Sequence, residues 1–117
     1  MNKKSVSFLL IVIISSVYLF SQNDTINQTD NQGLKQGYWE KFYPNGKPRY
    51  QGNFKDDKPI GIWKRYYESG ALLAVQEFKE NVPLSTFTGF YENGNKSSDG
   101  FYHENKRDSV WNFYSYY

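Results

Sequence analysis

The chain has 117 residues, enough for one small domain, and a fifth of them are aromatic: 11 Tyr, 9 Phe and 3 Trp. It contains no cysteine, which excludes a disulfide framework, a thiolate metal site and a lipidated cysteine. The formal charge is +2 and Lys3 and Lys4 account for it, so the remaining balance gives no support to nucleic-acid binding or to a polybasic membrane patch.

Residues 1–21 have the pattern of an export signal. Lys3 and Lys4 form a positive n-region, and Val6 to Phe20 is an apolar run broken only by small hydroxyl residues. The run is shorter than the roughly 20 residues of a spanning helix, so no stable membrane span is expected once the signal is cleaved after Ser21. The mature protein would then be periplasmic, surface-exposed or secreted. Residues 22–36 are polar, without apolar periodicity, and are predicted to be a disordered linker. Asn23 and Asn27 each open an Asn-x-Thr triplet of the glycosylation type.

From Gly37 to the C-terminus the sequence repeats with a period of 24 residues and no insertion. Gly37-Tyr38-Trp39-Glu40-Lys41-Phe42-Tyr43-Pro44-Asn45-Gly46 returns as Gly61-Ile62-Trp63-Lys64-Arg65-Tyr66-Tyr67-Glu68-Ser69-Gly70. A further step reaches Phe87, Phe90, Tyr91 and Gly94, and the last reaches Val110, Trp111 and Tyr114. Phe54, Phe78 and Tyr102 keep the same interval, as do Gly52 and Gly100 at twice it. The units are 37–60, 61–84, 85–108 and a half unit, 109–117. A period of this size marks an array whose units cannot bury their apolar face alone and must stack.

Each unit is predicted to be a β-hairpin. Tyr38 to Tyr43 is dense in residues suited to a pleated surface. Tyr43-Pro44-Asn45-Gly46 then fits a type I turn followed by a left-handed glycine, a device repeated at Gly70 and Gly94. The return strands fall at about Pro48–Phe54, Leu72–Phe78 and Ser97–Tyr102, and longer charged connections are expected over 55–59, 79–83 and 103–108. The fold class is therefore all-β, an elongated single-layer antiparallel meander of about seven strands. Alternation places Trp39 with Tyr43, Trp63 with Tyr67, Phe87 with Tyr91, and Trp111 on one face. Phe42, Tyr66, Phe90 and Tyr114, with Tyr38, Ile62 and Val110, fall on the other.

Catalysis has little to stand on. The one histidine, His103, aligns with Lys55 and Lys79 in a charged connection, and Ser69, Ser85 and Ser109 have no histidine placed to activate them. Asp56-Asp57, flanked by Lys55 and Lys58, reads as a solvated turn rather than a cation site. No catalytic residue, cofactor or metal is assigned. The candidate binding face is Trp39, Tyr43, Trp63, Tyr67, Phe87, Tyr91 and Trp111, rigid aromatic anchors suited to a protein partner or to stacking on a polysaccharide. The uncharged segment Trp111 to Tyr117 is expected to be an edge strand open to a partner or to self-association.

The pattern Gly-x-Trp-x-x-Tyr-Tyr-x-x-Gly, followed by Gly-x-Phe/Tyr, resembles the MORN repeat in its longer bacterial variant. That variant is common in chains labelled as YwqK-like antitoxins of toxin–antitoxin systems. The resemblance covers Gly37 onward; Ser85, Phe87 and Ser109 depart from it. It implies a single twisted antiparallel sheet used as an interaction surface without catalysis of its own, and, through the label, an antitoxin-like module that neutralises a toxin by contact.

Overall fold

A computed structural model describes residues 26–117; the expected signal and the first residues of the linker lie outside the described residues. The described chain is all-β. Eight strands pair in chain order, each antiparallel to the next: β1 Gln28–Thr29, β2 Lys35–Phe42, β3 Pro48–Lys55, β4 Lys58–Tyr66, β5 Leu72–Phe78, β6 Leu84–Phe90, β7 Lys96–His103 and β8 Lys106–Phe113. With only one layer, a side chain can be covered only by its neighbours on the same face. Trp63 and Ala74 are accordingly the only buried apolar residues among those described, at 7% and 2% exposure.

Pattern and period determine the hairpins that carry glycine. Tyr43 donates its N–H to Lys47 O and accepts from Gly46 N, closing a three-residue loop, and the same bonds recur at Tyr67 and Tyr91. Gly46, Gly70 and Gly94 sit at φ 86°, 95° and 91°, the left-handed conformation that ends such a loop.

The opposite end of the sheet differs from expectation. Two of the predicted long connections are two-residue turns: Lys55 pairs with Lys58, and His103 with Lys106. Asp56 and Asp57 adopt φ 51° and 66°, which a short polar side chain tolerates and a two-residue hairpin requires. His103 is therefore the last residue of β7, paired with Leu84 and Lys106, and not part of a loop.

The polar stretch expected as linker contributes β1 and the start of β2. Asn27 explains why so polar a segment is held. Its backbone N–H reaches Tyr38 O, its side-chain nitrogen donates to Glu40 O at 3.1 Å, and its oxygen accepts from Glu40 N at 2.8 Å. One carboxamide thus replaces a neighbouring strand's peptide group along the outer side of β2. The amide nitrogen of that Asn-x-Thr triplet is engaged in this bond.

The tryptophans depend on a bend. Gln51 pairs with Lys64 and Asn53 with Ile60, so three residues, 61–63, stand opposite Gly52 alone. Gly61 has φ 69°, and the bulge tips the Trp63 indole onto the Gly52 backbone. A Cβ at Gly52 would lie 2.2 Å from the ring. The device recurs at the far end, where residues 109–111 oppose Gly100 and a Cβ there would lie 2.5 Å from Trp111.

Between these sites the bulge is missing: Gln76 pairs directly with Phe87, and Phe78 with Ser85. The two residues saved lengthen the β5–β6 loop instead. A shift of two leaves every side chain on its original face, which is how the 24-residue period survives it. Gln76 occupies the place of the glycine, leaving no room for an indole, and its Nε2 donates to Ser85 Oγ at 2.9 Å; Ser85 is buried. The departures at Ser85 and Phe87 are one event.

Ser109 occupies the glycine position of the last bulge with φ 59°, a strained conformation for a side chain with a Cβ. Ser109→Gly is expected to raise stability by about 0.5–1 kcal/mol, since relief of about 1–2 kcal/mol is partly offset by glycine's larger unfolded-state entropy. A higher urea midpoint at an unchanged slope would show it; a lower one would mean that the hydroxyl matters more than the strain.

Candidate functional site

Register assigns the two faces. Partners directly across a ladder share a face, so Trp39, Gly52 and Phe54 lie together, as do Lys41, Tyr50, Arg65 and Ala74. Phe87, Gly100, Ser85, Tyr102 and Arg107 continue the same side. Ring contacts confirm it. Phe54 stands edge-on between Trp39 at 5.8 Å and Trp63 at 4.8 Å, and Tyr50 packs on Trp63 at 5.9 Å. Beyond the Gln76–Ser85 pair a second group forms, with Tyr102 edge-on to Phe87 and Trp111 at 5.5 and 5.0 Å, and Trp111 stacked with Phe113.

The structure therefore brings Trp39, Trp63, Phe87 and Trp111 onto one face, in two clusters rather than one row. Phe54, Tyr50 and Tyr102 complete them and were missing from the predicted set. Their signal was present in the sequence: Phe54 and Tyr102 are 48 residues apart, and Gly52 and Gly100 each precede a tryptophan by 11.

Tyr43, Tyr67 and Tyr91 have a different position. Register slips between Lys41 and Phe42, Arg65 and Tyr66, and Gly89 and Phe90, so simple alternation does not carry through to them. Their hydroxyls donate to Tyr66 O, Phe90 O and Tyr114 O at 2.6, 2.6 and 2.7 Å. Each ties its turn to the next unit. Burial, then the nearby Glu92 carboxylate, pushes the Tyr67 phenol above its usual range.

The C-terminal segment also departs from expectation. β8 ends at Phe113, and Tyr114–Tyr117 are not strand. The Tyr116 carbonyl accepts from Asn93 and Asn95, and the Tyr116 ring meets Tyr91 edge-on at 5.1 Å. Turn side chains capture this segment before it can extend the ladder.

On the opposite face the hydroxyls of Tyr38, Tyr66 and Tyr114 meet polar partners. Tyr38 donates to Gln51 Oε1, and Gln51 Nε2 donates to Tyr66. Two periods on, Asp99 accepts from Asn112, Tyr114 and Lys96. At the intermediate position the sequence has Val75 and Phe90. The bonds to Asp99, that from Asn112 foremost, hold its carboxyl below the usual carboxylate range.

A lowered folded-state pKa contributes stability above the unfolded value, near pH 3.9, that is lost as pH falls through the folded value. Asp99→Asn is therefore expected to flatten the loss of stability below about pH 4. Urea midpoints at pH 6 and pH 3 measure it, and an unchanged difference between the two would exclude Asp99 as a contributor.

The strand acids are confined to one face, where Lys55, Lys58, Lys64 and Lys106 also lie. Among strand residues the acids Glu40, Glu77, Asp99 and Asp108 pair with Gln51, Ile62, Asn112 and Phe101, all on the opposite face. The tryptophan face carries Lys41, Arg65, Lys35 and Arg107. Lys35 Nζ lies 5.1 Å from the centroids of both Trp39 and Phe54, and the Arg107 guanidinium 5.2 Å from Trp111. No strand acid faces that side among the described residues. The carboxylates of Asp56 and Asp57 lie at the sheet end, accepting from Gln36 Nε2 and Lys35 N.

Residues 35–56 and 59–80 each match the family described as the MORN repeat variant. Two of the units are thus similar to MORN repeats. The matched stretches start at corresponding residues 24 apart, and each ends within the turn that closes its unit or just after the return strand. MORN repeats are a non-enzymatic module, in general one for protein or membrane interaction. No curated protein and no solved structure matches the chain.

Proposed function

We propose that this protein is a non-catalytic interaction module whose contact surface is the tryptophan face. One observation carries the reading: the face combines half-buried aromatic clusters with four cations and no strand acid. Aromatic anchors positioned by a rigid sheet and rimmed by long cationic side chains have the composition of a protein-binding hot spot. The edge of β8 is the weaker surface. Lys106 and Arg107 open it and the bulge at Ser109 distorts it, both devices that blunt a strand against pairing. Neutralisation of a toxin and polysaccharide binding remain narrower versions of the same idea, and no residue singles out either.

A photo-crosslinking side chain at Lys41 tests the reading against one at Lys64. Both positions are exposed on the same part of the sheet, on opposite faces. In the native cell extract, protein adducts are expected from position 41 and not from 64. Equal labelling at the two positions would remove the assignment. We also propose export, on Lys3, Lys4 and the apolar run Val6 to Phe20. A native N-terminus near Gln22 in the envelope or medium supports it, and an intact Met1 in the cytoplasm refutes it.

A further inference from the structure

We propose that two copies of this chain associate face to face through the side of the sheet opposite the tryptophans, over strands β5 to β8. This is the face that the partner-binding reading leaves free, and the inference does not depend on that reading.

Register lays the surface out in two cross-strand rows. Glu77 pairs with Thr86, Thr86 with Phe101 and Phe101 with Asp108, which makes the first row. Leu84 pairs with His103 and His103 with Lys106, and one further step of the β5–β6 register adds Lys79 to this second row. The rows are two residues apart on every strand, so both lie on one side of the sheet. Leu84 and Phe101 are 38% and 42% exposed, and every other member except the half-buried Asp108 is exposed too. The described residues form a single sheet, with no second layer to cover these side chains.

Charge selects the occupant. Each row carries one sign at both of its ends: Glu77 and Asp108 in the first, Lys79 and Lys106 in the second. An isologous pair requires a surface that complements itself under two-fold rotation. An axis running along the rows, midway between them, sets the first row of one copy on the second row of the other. Asp108 then faces Lys106 of the other copy, and Glu77 faces Lys79. Between these ends Phe101 lies over His103, and Thr86 over Leu84.

The same charges exclude the other symmetric arrangements. An axis along the strands would set Lys79 against Lys106 and Glu77 against Asp108. Pairing through the tryptophan faces would oppose four cations to four, with no strand acid between them. A ligand of one sign meets one row with attraction and the other with repulsion. Stacked twisted sheets cross at about 30°, so the contact spreads little beyond these four strands and leaves Lys64, on β4, outside it. Four strands by two rows is a small contact, of the reversible class below about 1,200 Å² in total.

Sedimentation of the full chain at low salt, over a series of concentrations, tests the proposal. A monomer–dimer equilibrium that shifts toward monomer with added salt is expected. Lys106→Asp leaves acids at this end of both rows, and Asp108→Lys leaves bases there. Each substitution alone should lower dimer affinity by at least about tenfold. Mixed in equal amounts, the two variants should form a heterodimer of about the original affinity, because each pair of acids then meets a pair of bases. A structural defect of either variant would not be repaired by mixing, and urea midpoints verify that both folds persist.

A monomer at every concentration up to the solubility limit overturns the proposal. So does a dimer that survives both single substitutions, or one that mixing does not restore. Crosslinking from position 41 reports only on the tryptophan face, so either proposal can fail while the other stands.

Discussion

Gly52→Ala is expected to destabilise the fold by about 3 kcal/mol, at the upper end of ordinary overpacking. The added methyl would stand 2.2 Å from the Trp63 indole, closer than any relaxed contact, and the nearest atoms belong to the rigid ring system. The ring cannot step aside easily. Phe54 lies edge-on to it at 4.8 Å, Tyr50 packs at 5.9 Å, and its Nε1 donates to Asn53 O at 3.0 Å. Chemical denaturation of the single variant measures the loss. The sharper measurement is the cycle with Trp63→Ala. Once the indole is gone the three atoms nearest the methyl are gone with it, so Gly52→Ala in that background should cost much less, a coupling of about 2–3 kcal/mol. Additive losses would mean that the bulge does not place the ring on the glycine.

Trp63→Ala is expected to cost about 3–5 kcal/mol by itself, the range for removing a buried aromatic. Small domains are stable by about 5–15 kcal/mol in total, so the variant should unfold at a much lower denaturant concentration or not fold at all. The reason is architectural. In a two-layer protein a lost ring is partly replaced by side chains from the facing layer, but here only neighbours in the same sheet can move in. Trp63 is also the residue that links Phe54 and Tyr50 and holds the first cluster together. A loss below about 1 kcal/mol would contradict the claim that this ring is the centre of the fold. For that reason Lys41 and Arg65, and not Trp63, are the positions at which binding is to be tested.

The repeat and its hairpins were legible because their causes are local. A glycine that can take φ near +90° closes a three-residue loop wherever it follows the right aromatic strand, and the 24-residue period then orders the strands. Tyr43, Tyr67 and Tyr91 were legible as a set for the same reason, although what they do was not. Their hydroxyls bond to carbonyls 23 residues away, and register slips just before each of them, so counting alternate residues assigned them to a face on which they do not simply continue. Asp56-Asp57 was read as a solvated turn within a long connection; its carboxylates instead fasten a two-residue hairpin to the start of β2.

Asn27 shows the limit from the other side. Nothing in a polar run of Asn, Gln, Asp and Thr signals a strand, because the gain comes from Glu40, 13 residues on, whose peptide group would otherwise face water.

By itself, then, the sequence determined an array of antiparallel hairpins in one sheet, the position of the glycine turns and the tryptophans as its anchors. The tertiary structure alone decided the bulges opposite Gly52 and Gly100, the break at Gln76 and Ser85, and with them the division into an aromatic face whose strand charges are all cationic and a face on which acids and lysines are mixed. Composition sums charge over the whole chain and finds near-neutrality. Which side a charge lies on depends on the register each strand takes with the next, and that is settled by backbone pairing between residues distant in sequence.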